Sequence, residues 1–120
     1  MAAGRWRGGI GAIREFTFLD DAGFSLEGEG HALAPWGFDG GADGLTASLT
    51  LKRPDGTEQI LPSKVLYFKV KAGDKLVSFG PCGGGYGDAS LRPSEAIATD
   101  VADGLIASDV ARGLFAQAEK

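Results

Sequence analysis

The alternation of apolar and polar side chains predicts strands along most of the chain and helices only near its end. Ile10 to Leu19 reads as a strand with Phe16 and Phe18 on one face and Glu15 and Thr17 on the other. Asp20-Asp21-Ala22-Gly23 reads as a turn, and Phe24 to Glu29 as a second strand completing a hairpin with the first. Over residues 45–53, Leu45, Ala47, Leu49 and Leu51 alternate with Thr46, Ser48, Thr50 and Lys52. Pro54-Asp55-Gly56 is a strong turn signal because Asp-Gly tolerates positive φ, and a return strand runs from Thr57 to Leu61. Pro62 removes a backbone donor and ends it. Val65 to Val70 and Lys75 to Phe79 supply two further strands, separated by Lys71-Ala72-Gly73-Asp74.

After Pro93 the period lengthens. Ser94 suits an N-cap, and Ile97, Val101 and Leu105 recur every four residues on one helical face. Gly104 suits a left-handed stop, and Ser108 suits the cap of a second helix carrying Val110, Ala111, Leu114 and Phe115. The pattern predicts an α+β fold: a β-rich antiparallel sheet or sandwich with a C-terminal helical hairpin. We divide the 120 residues, read as a single domain, into an N-terminal arm (1–9), a β-rich part (10–79), a glycine-rich loop (80–93) and the hairpin (94–120).

Composition changes this picture in one respect. Twenty glycines, about one residue in six, cluster at residues 4–11, 37–44 and 80–87. Ordering such segments costs much conformational entropy, so they call for packing from outside, which points to a partner. The segment 31–44, with Pro35 and Trp36 and no periodicity, reads as a long loop, functional or interfacial. Trp36 and Phe38 within it fit either an interface or a lid folded back over the sheet.

A net charge of −4 leaves no case for nucleic-acid binding by the whole chain. Arg5, Arg7 and Arg14 form a small basic patch, read as a solvated tail or one that docks on an acidic partner. No apolar run approaches the length needed to span a bilayer and no signal-peptide pattern is present, so the expected compartment is the cytoplasm, with no membrane partner. One cysteine excludes an intrachain disulfide, and one histidine argues against a metal site built from this chain alone.

Several motifs invite chemistry and fall short of it. Gly80-Pro81-Cys82-Gly83-Gly84-Gly85-Tyr86-Gly87 resembles a phosphate cradle, yet Asp88 follows where a lysine and a hydroxyl are needed. A structural glycine loop is the better reading. Cys82 has no histidine signature beside it and reads as a small inert thiol. His31, in Gly30-His31-Ala32, reads as a loop histidine bonded to backbone, since no proton-transfer partner is evident. The pairs Asp20/Asp21 and Asp39/Asp43 read as turn formers. No catalytic, cofactor-binding or metal-ligating residue is assigned.

Taken in order, these segments resemble the C-terminal region of the hydantoinase B/5-oxoprolinase family. The resemblance rests on Arg7-Gly8-Gly9-Ile10-Gly11, Arg14-Glu15-Phe16, Ala34-Pro35-Trp36-Gly37, Pro54-Asp55-Gly56, Leu61-Pro62-Ser63-Lys64 and Lys71-Ala72-Gly73-Asp74. It continues through Gly83 to Asp88 and Asp100 to Ser108, and so covers nearly the whole chain. Cys82, Ala89 and the arginine-free loop at Glu29-Gly30-His31 depart from the family pattern. The resemblance implies a family C-terminus made as a separate small subunit, similar to that of acetophenone carboxylase. It implies a non-catalytic structural role in an ATP-dependent ketone carboxylase, completing a split B-type large subunit. Hydantoinase A- and B-type large subunits would be the partners, with ATP and Mg bound there and none by this chain. The alternatives are the same role in an ATP-dependent hydantoinase or oxoprolinase-type amidohydrolase, and a free-standing anion-binding module.

Overall fold

The computed structural model describes residues 1–115, in which the backbone gathers into two compact units. One comprises residues 11–33 and 46–81; the other comprises 1–10, 34–45 and the segment from 82 onward.

The first unit holds six strands: β1 (Ile13–Thr17), β2 (Ala22–Glu27), β3 (Ser48–Lys52), β4 (Glu58–Leu61), β5 (Lys64–Val70) and β6 (Lys75–Phe79). They form a four-stranded antiparallel sheet in the order β1-β6-β3-β4 and a two-stranded sheet of β2 with β5. The β3–β4 hairpin turns at Pro54-Asp55-Gly56 as expected: Gly56 has φ +86° and Asp55 accepts the Thr57 amide at 2.9 Å. The expected β1–β2 hairpin does not form. Ile13 lies opposite Phe79, and nine residues further on Ala22 lies opposite Val70, nine residues back. The register therefore runs unbroken through residues 18–21 on one strand and 71–74 on the other. Asp20-Asp21-Ala22-Gly23 marks a bend in a long two-stranded ribbon, where it leaves one sheet for the other, and not a reversal.

Two carboxylates hold that bend. Asp74, fully buried, accepts the Lys71 amide at 2.9 Å and lies 3.4 Å from the Arg53 guanidinium, while Asp21 accepts the Ala72 amide at 3.0 Å. Side chains from both sheets share one core: Leu49, Leu51, Leu61, Val70 and Leu76, with Phe18, Phe24, Leu26, Val65 and Phe68 against them. The expected apolar face of residues 45–53 is thus correct from Ala47 onward, but Leu45 is exposed and precedes the strand. Phe16 pairs with buried Leu76 yet stays half exposed, because β1 is the edge of its sheet.

The second unit carries α1 (Ser94–Ala102) and α2 (Ser108–Leu114). Both helices begin at the expected cap residues, one position earlier than expected, so Ser94 and Ser108 are first-turn residues and neither helix start has a side-chain cap. Gly104, at φ +70°, ends α1 as expected: its amide bonds to the Val101 carbonyl, and the Leu105 amide to that of Asp100. Ile97, Val101, Leu114 and Met1 pack against buried Ala3, Ile106, Ala111 and Phe115. Ile106 takes the inward place expected of Leu105, and Val110 faces solvent. Residues 116–120 of the expected hairpin lie outside the described residues. Since a Cβ on Gly104 meets open space, Gly104→Ala is expected to cost only the left-handed backbone penalty of about 1 kcal/mol, read as a lowered thermal midpoint.

Candidate functional site

The three glycine clusters come together in the second unit. Residues 2–9, 36–45 and 82–87 lie side by side, joined backbone to backbone. Trp6 and Tyr86 exchange two bonds at 2.9 Å, Phe38 donates to the Gly85 carbonyl and accepts from the Gly87 amide, and Gly85 donates to Ala42, which donates to Ala3. The segments are too close for side chains between them. A Cβ on Gly84 would overlap the Trp36 carbonyl, and one on Gly85 the Ala3 carbonyl. Glycine is therefore a packing requirement at most of these positions, and the segments cohere through satisfied peptide groups where an ordinary core would use side chains.

That geometry answers the phosphate question. The amides of Gly83, Gly85, Tyr86 and Gly87 already donate to carbonyls of Gly9, Ala42, Trp6 and Phe38. The loop has no spare fan of donors there for an anion, and Asp88 stands beside it with its carboxylate accepting the Ser90 amide, which lowers its pKa. The residues present do not fit the phosphates of ATP.

The other residues singled out in the sequence are brought to separate places. Cys82 is buried, with Sγ 3.0 Å from the Leu45 amide. Asp43 accepts the Gly37 amide at 2.8 Å, and Asp39 adopts φ 50° next to Gly40 at φ +88°, so both serve the turn. His31 packs its Cε1 edge over Gly28, and its two enclosed ring nitrogens have no hydrogen-bond partner among the described residues, contrary to the backbone bond expected of it. Among the described residues no group of three or more His, Cys, Asp and Glu side chains is placed to hold a metal, and no helix is long and apolar enough to cross a membrane.

Sequence reasoning missed the buried charge network. Asp100 on α1 is almost fully enclosed, with Oδ1 2.9 Å from Arg7 Nε and Oδ2 2.6 Å from an Arg92 terminal nitrogen. Arg92 also donates to the Arg5 carbonyl at 3.2 Å and lies over the Phe115 ring at 5.3 Å. Burial pushes the Asp100 carboxyl up, but the hydrogen bonds and charges of the two arginines outweigh it and hold the pKa below its ordinary value. Arg7 is thus fastened to α1 through Asp100, with only part of its side chain left in solvent, and Ala2 and Ala3 of the expected arm are buried. One signal was available: Asp100 falls three residues after Ile97, on the helix's apolar face, where a carboxylate needs cationic partners.

Above the glycine layer four aromatic side chains are exposed. Tyr86 is the bridge partner of both Trp6 and Phe38, which sets these three side by side, and Trp36 lies 6.4 Å from Phe38, ring to ring. The lid alternative for Trp36 and Phe38 is not realised: they are 68% and 60% exposed.

The model of the hydantoinase B/oxoprolinase family matches residues 1–89, which include all six strands and the three glycine segments. The chain belongs to the hydantoinase B/oxoprolinase family. It is 46% identical over 111 residues to the B-type component of a candidate D-/L-hydantoinase from a Pseudomonas species (strain NS671), a match covering 92% of this chain and 19% of that one. It is 34% identical over 118 residues to the beta chain of the caprolactamase of Pseudomonas jessenii, covering 92% and 20%. The crystal structure of the ATP-dependent caprolactamase from the same organism superposes with a TM-score of 0.71 at 30% identity, over 96% of this chain and 20% of that one. This hydantoinase B/oxoprolinase chain thus spans about a fifth of the length of these relatives.

Proposed function

We propose that this chain is a structural, non-catalytic part of an ATP-dependent enzyme that opens a cyclic amide. In this reading it supplies the sheet-and-glycine-layer portion of a hydantoinase B-type unit, while ATP, Mg and the reacting groups are held elsewhere in the assembly. The single supporting observation is the glycine layer itself. It has the family's sequence, yet its amides are consumed in holding three segments together, its thiol Cys82 is buried against the Leu45 amide, its neighbour Asp88 is engaged by the Ser90 amide, and among the described residues no cluster of His, Cys, Asp and Glu is placed to hold a metal. Amide-ring opening is preferred to ketone carboxylation because two of the relatives are named for hydantoin and caprolactam, both cyclic amides.

Assaying the assembly purified through this chain tests the reading. The expected result is ATP turnover coupled to lactam or hydantoin opening without bicarbonate. Bicarbonate-dependent consumption of an aromatic ketone would assign the carboxylase chemistry instead, and ring opening by the isolated chain would overturn the structural role.

A further inference from the structure

We propose that Trp6, Trp36, Phe38 and Tyr86 form the face on which this chain docks the remainder of a hydantoinase B-type polypeptide, with Arg5 meeting a carboxylate of that partner. The inference rests on the function proposed above and adds to it the surface and the chemistry of the contact.

The four rings cannot collapse inward. The layer beneath them is peptide backbone packed at glycine spacing, so no side chains exist there to receive them. Bridge pairing fixes Trp6, Tyr86 and Phe38 in one row, and the Trp36–Phe38 contact extends it. Exposures of 53–68% on four such side chains amount to roughly 500 Å². That is near the upper end of single patches on monomeric proteins and more than half of the ~800 Å² a partner contributes to a standard interface. The rings stand on a hydrogen-bonded platform, so little ordering cost remains to be met on binding.

The occupant follows from length and charge. This chain corresponds to a fifth of the hydantoinase and caprolactamase relatives, so the neighbour of this segment in such a unit is the other four-fifths of a B-type polypeptide. The Arg5 guanidinium lies over the Trp6 ring at 5.9 Å, is exposed, and forms no ion pair among the described residues. A cation held at the rim of an aromatic row selects an apolar segment bearing Asp or Glu.

Affinity-tagged full-length chain provides the test, with recovery of a B-type polypeptide as the readout. Trp36→Ser with Phe38→Ser is expected to lower recovery by about tenfold or more, as loss of central aromatic anchors does. Arg5→Glu, at an exposed position that leaves folding intact, is expected to weaken recovery most at low salt. Leu66→Ser, at a fully exposed position on β5, is expected to change nothing. Equal recovery by wild type and both aromatic and Arg5 variants overturns this inference while leaving the proposed function standing. Wild-type chain that recovers no B-type polypeptide overturns the proposed function and this inference with it. Self-association of the isolated chain, lost in the same variants, would assign the face to a second copy and overturn the occupant named here.

Discussion

Gly84→Val is expected to disrupt the second unit, with a stability loss above about 3 kcal/mol. The new Cβ would meet three backbone atoms: the Trp36 carbonyl oxygen and carbon, and the Gly37 nitrogen at 2.7 Å. Backbone cannot rotate away as a side-chain tip can, so accommodation requires parting residues 36–37 from 84. That parting would break the neighbouring bonds Phe38 to Gly85 and Gly85 to Ala42, both at 2.8–2.9 Å. Gly9→Ala is the matched control, because its Cβ meets nothing within 4 Å and its φ lies outside the left-handed range. Urea unfolding followed by tryptophan emission should separate the two by several kcal/mol, with Gly9→Ala within about 0.5 kcal/mol of wild type. Hydrogen exchange should show the Phe38, Gly85 and Gly87 amides losing protection in Gly84→Val alone. A Gly84→Val midpoint equal to wild type would mean that the segments do not pack as closely as described.

Most strands could be read from the sequence because their side chains alternate on a half-buried sheet, where the period of two is the physical signal. The hairpin at Asp20-Asp21-Ala22-Gly23 misled because Asp and Gly suit a reversal and a bend alike. Long-range pairing, of Phe18 with residues 73–74 and of Asp21 with the Ala72 amide, distinguishes the two. Leu105 and Ile106 exchanged places because Gly104 ends α1 between Val101 and Leu105, so the four-residue period does not carry across the stop. The glycine clusters announced an unusual requirement, but nothing in them specifies a pairing among three segments separated by tens of residues. The partner of most of these glycines is another backbone, and backbone leaves no compositional trace. The aromatic row has the same origin: Trp6, Phe38 and Tyr86 are adjacent only through that layer.

Asp100→Leu is expected to destabilise the chain by about 3 kcal/mol, the lower end of the range for a broken buried pair because Arg7 still reaches solvent. The cost is chiefly that of Arg92, nearly as enclosed as Asp100 and left without that carboxylate. The sign of the pH dependence follows from the lowered carboxyl pKa. Between that lowered value and the ordinary value near 3.9, the unfolded chain holds a proton the folded chain lacks, so stability rises with pH across this window. The contribution is complete above about pH 5 and disappears as the pH falls through the folded-state value. Wild type should therefore lose more stability than Asp100→Leu between pH 6 and pH 3, and the two unfolding midpoints should converge in acid. A gap of constant size would mean that Asp100 acts through packing and not through charge. Adding Arg92→Met to Asp100→Leu should recover part of the loss at neutral pH, since it removes a buried guanidinium that has lost the Asp100 carboxylate. The recovery is incomplete because Arg92 also holds the Arg5 carbonyl and covers Phe115, contacts a methionine only partly replaces.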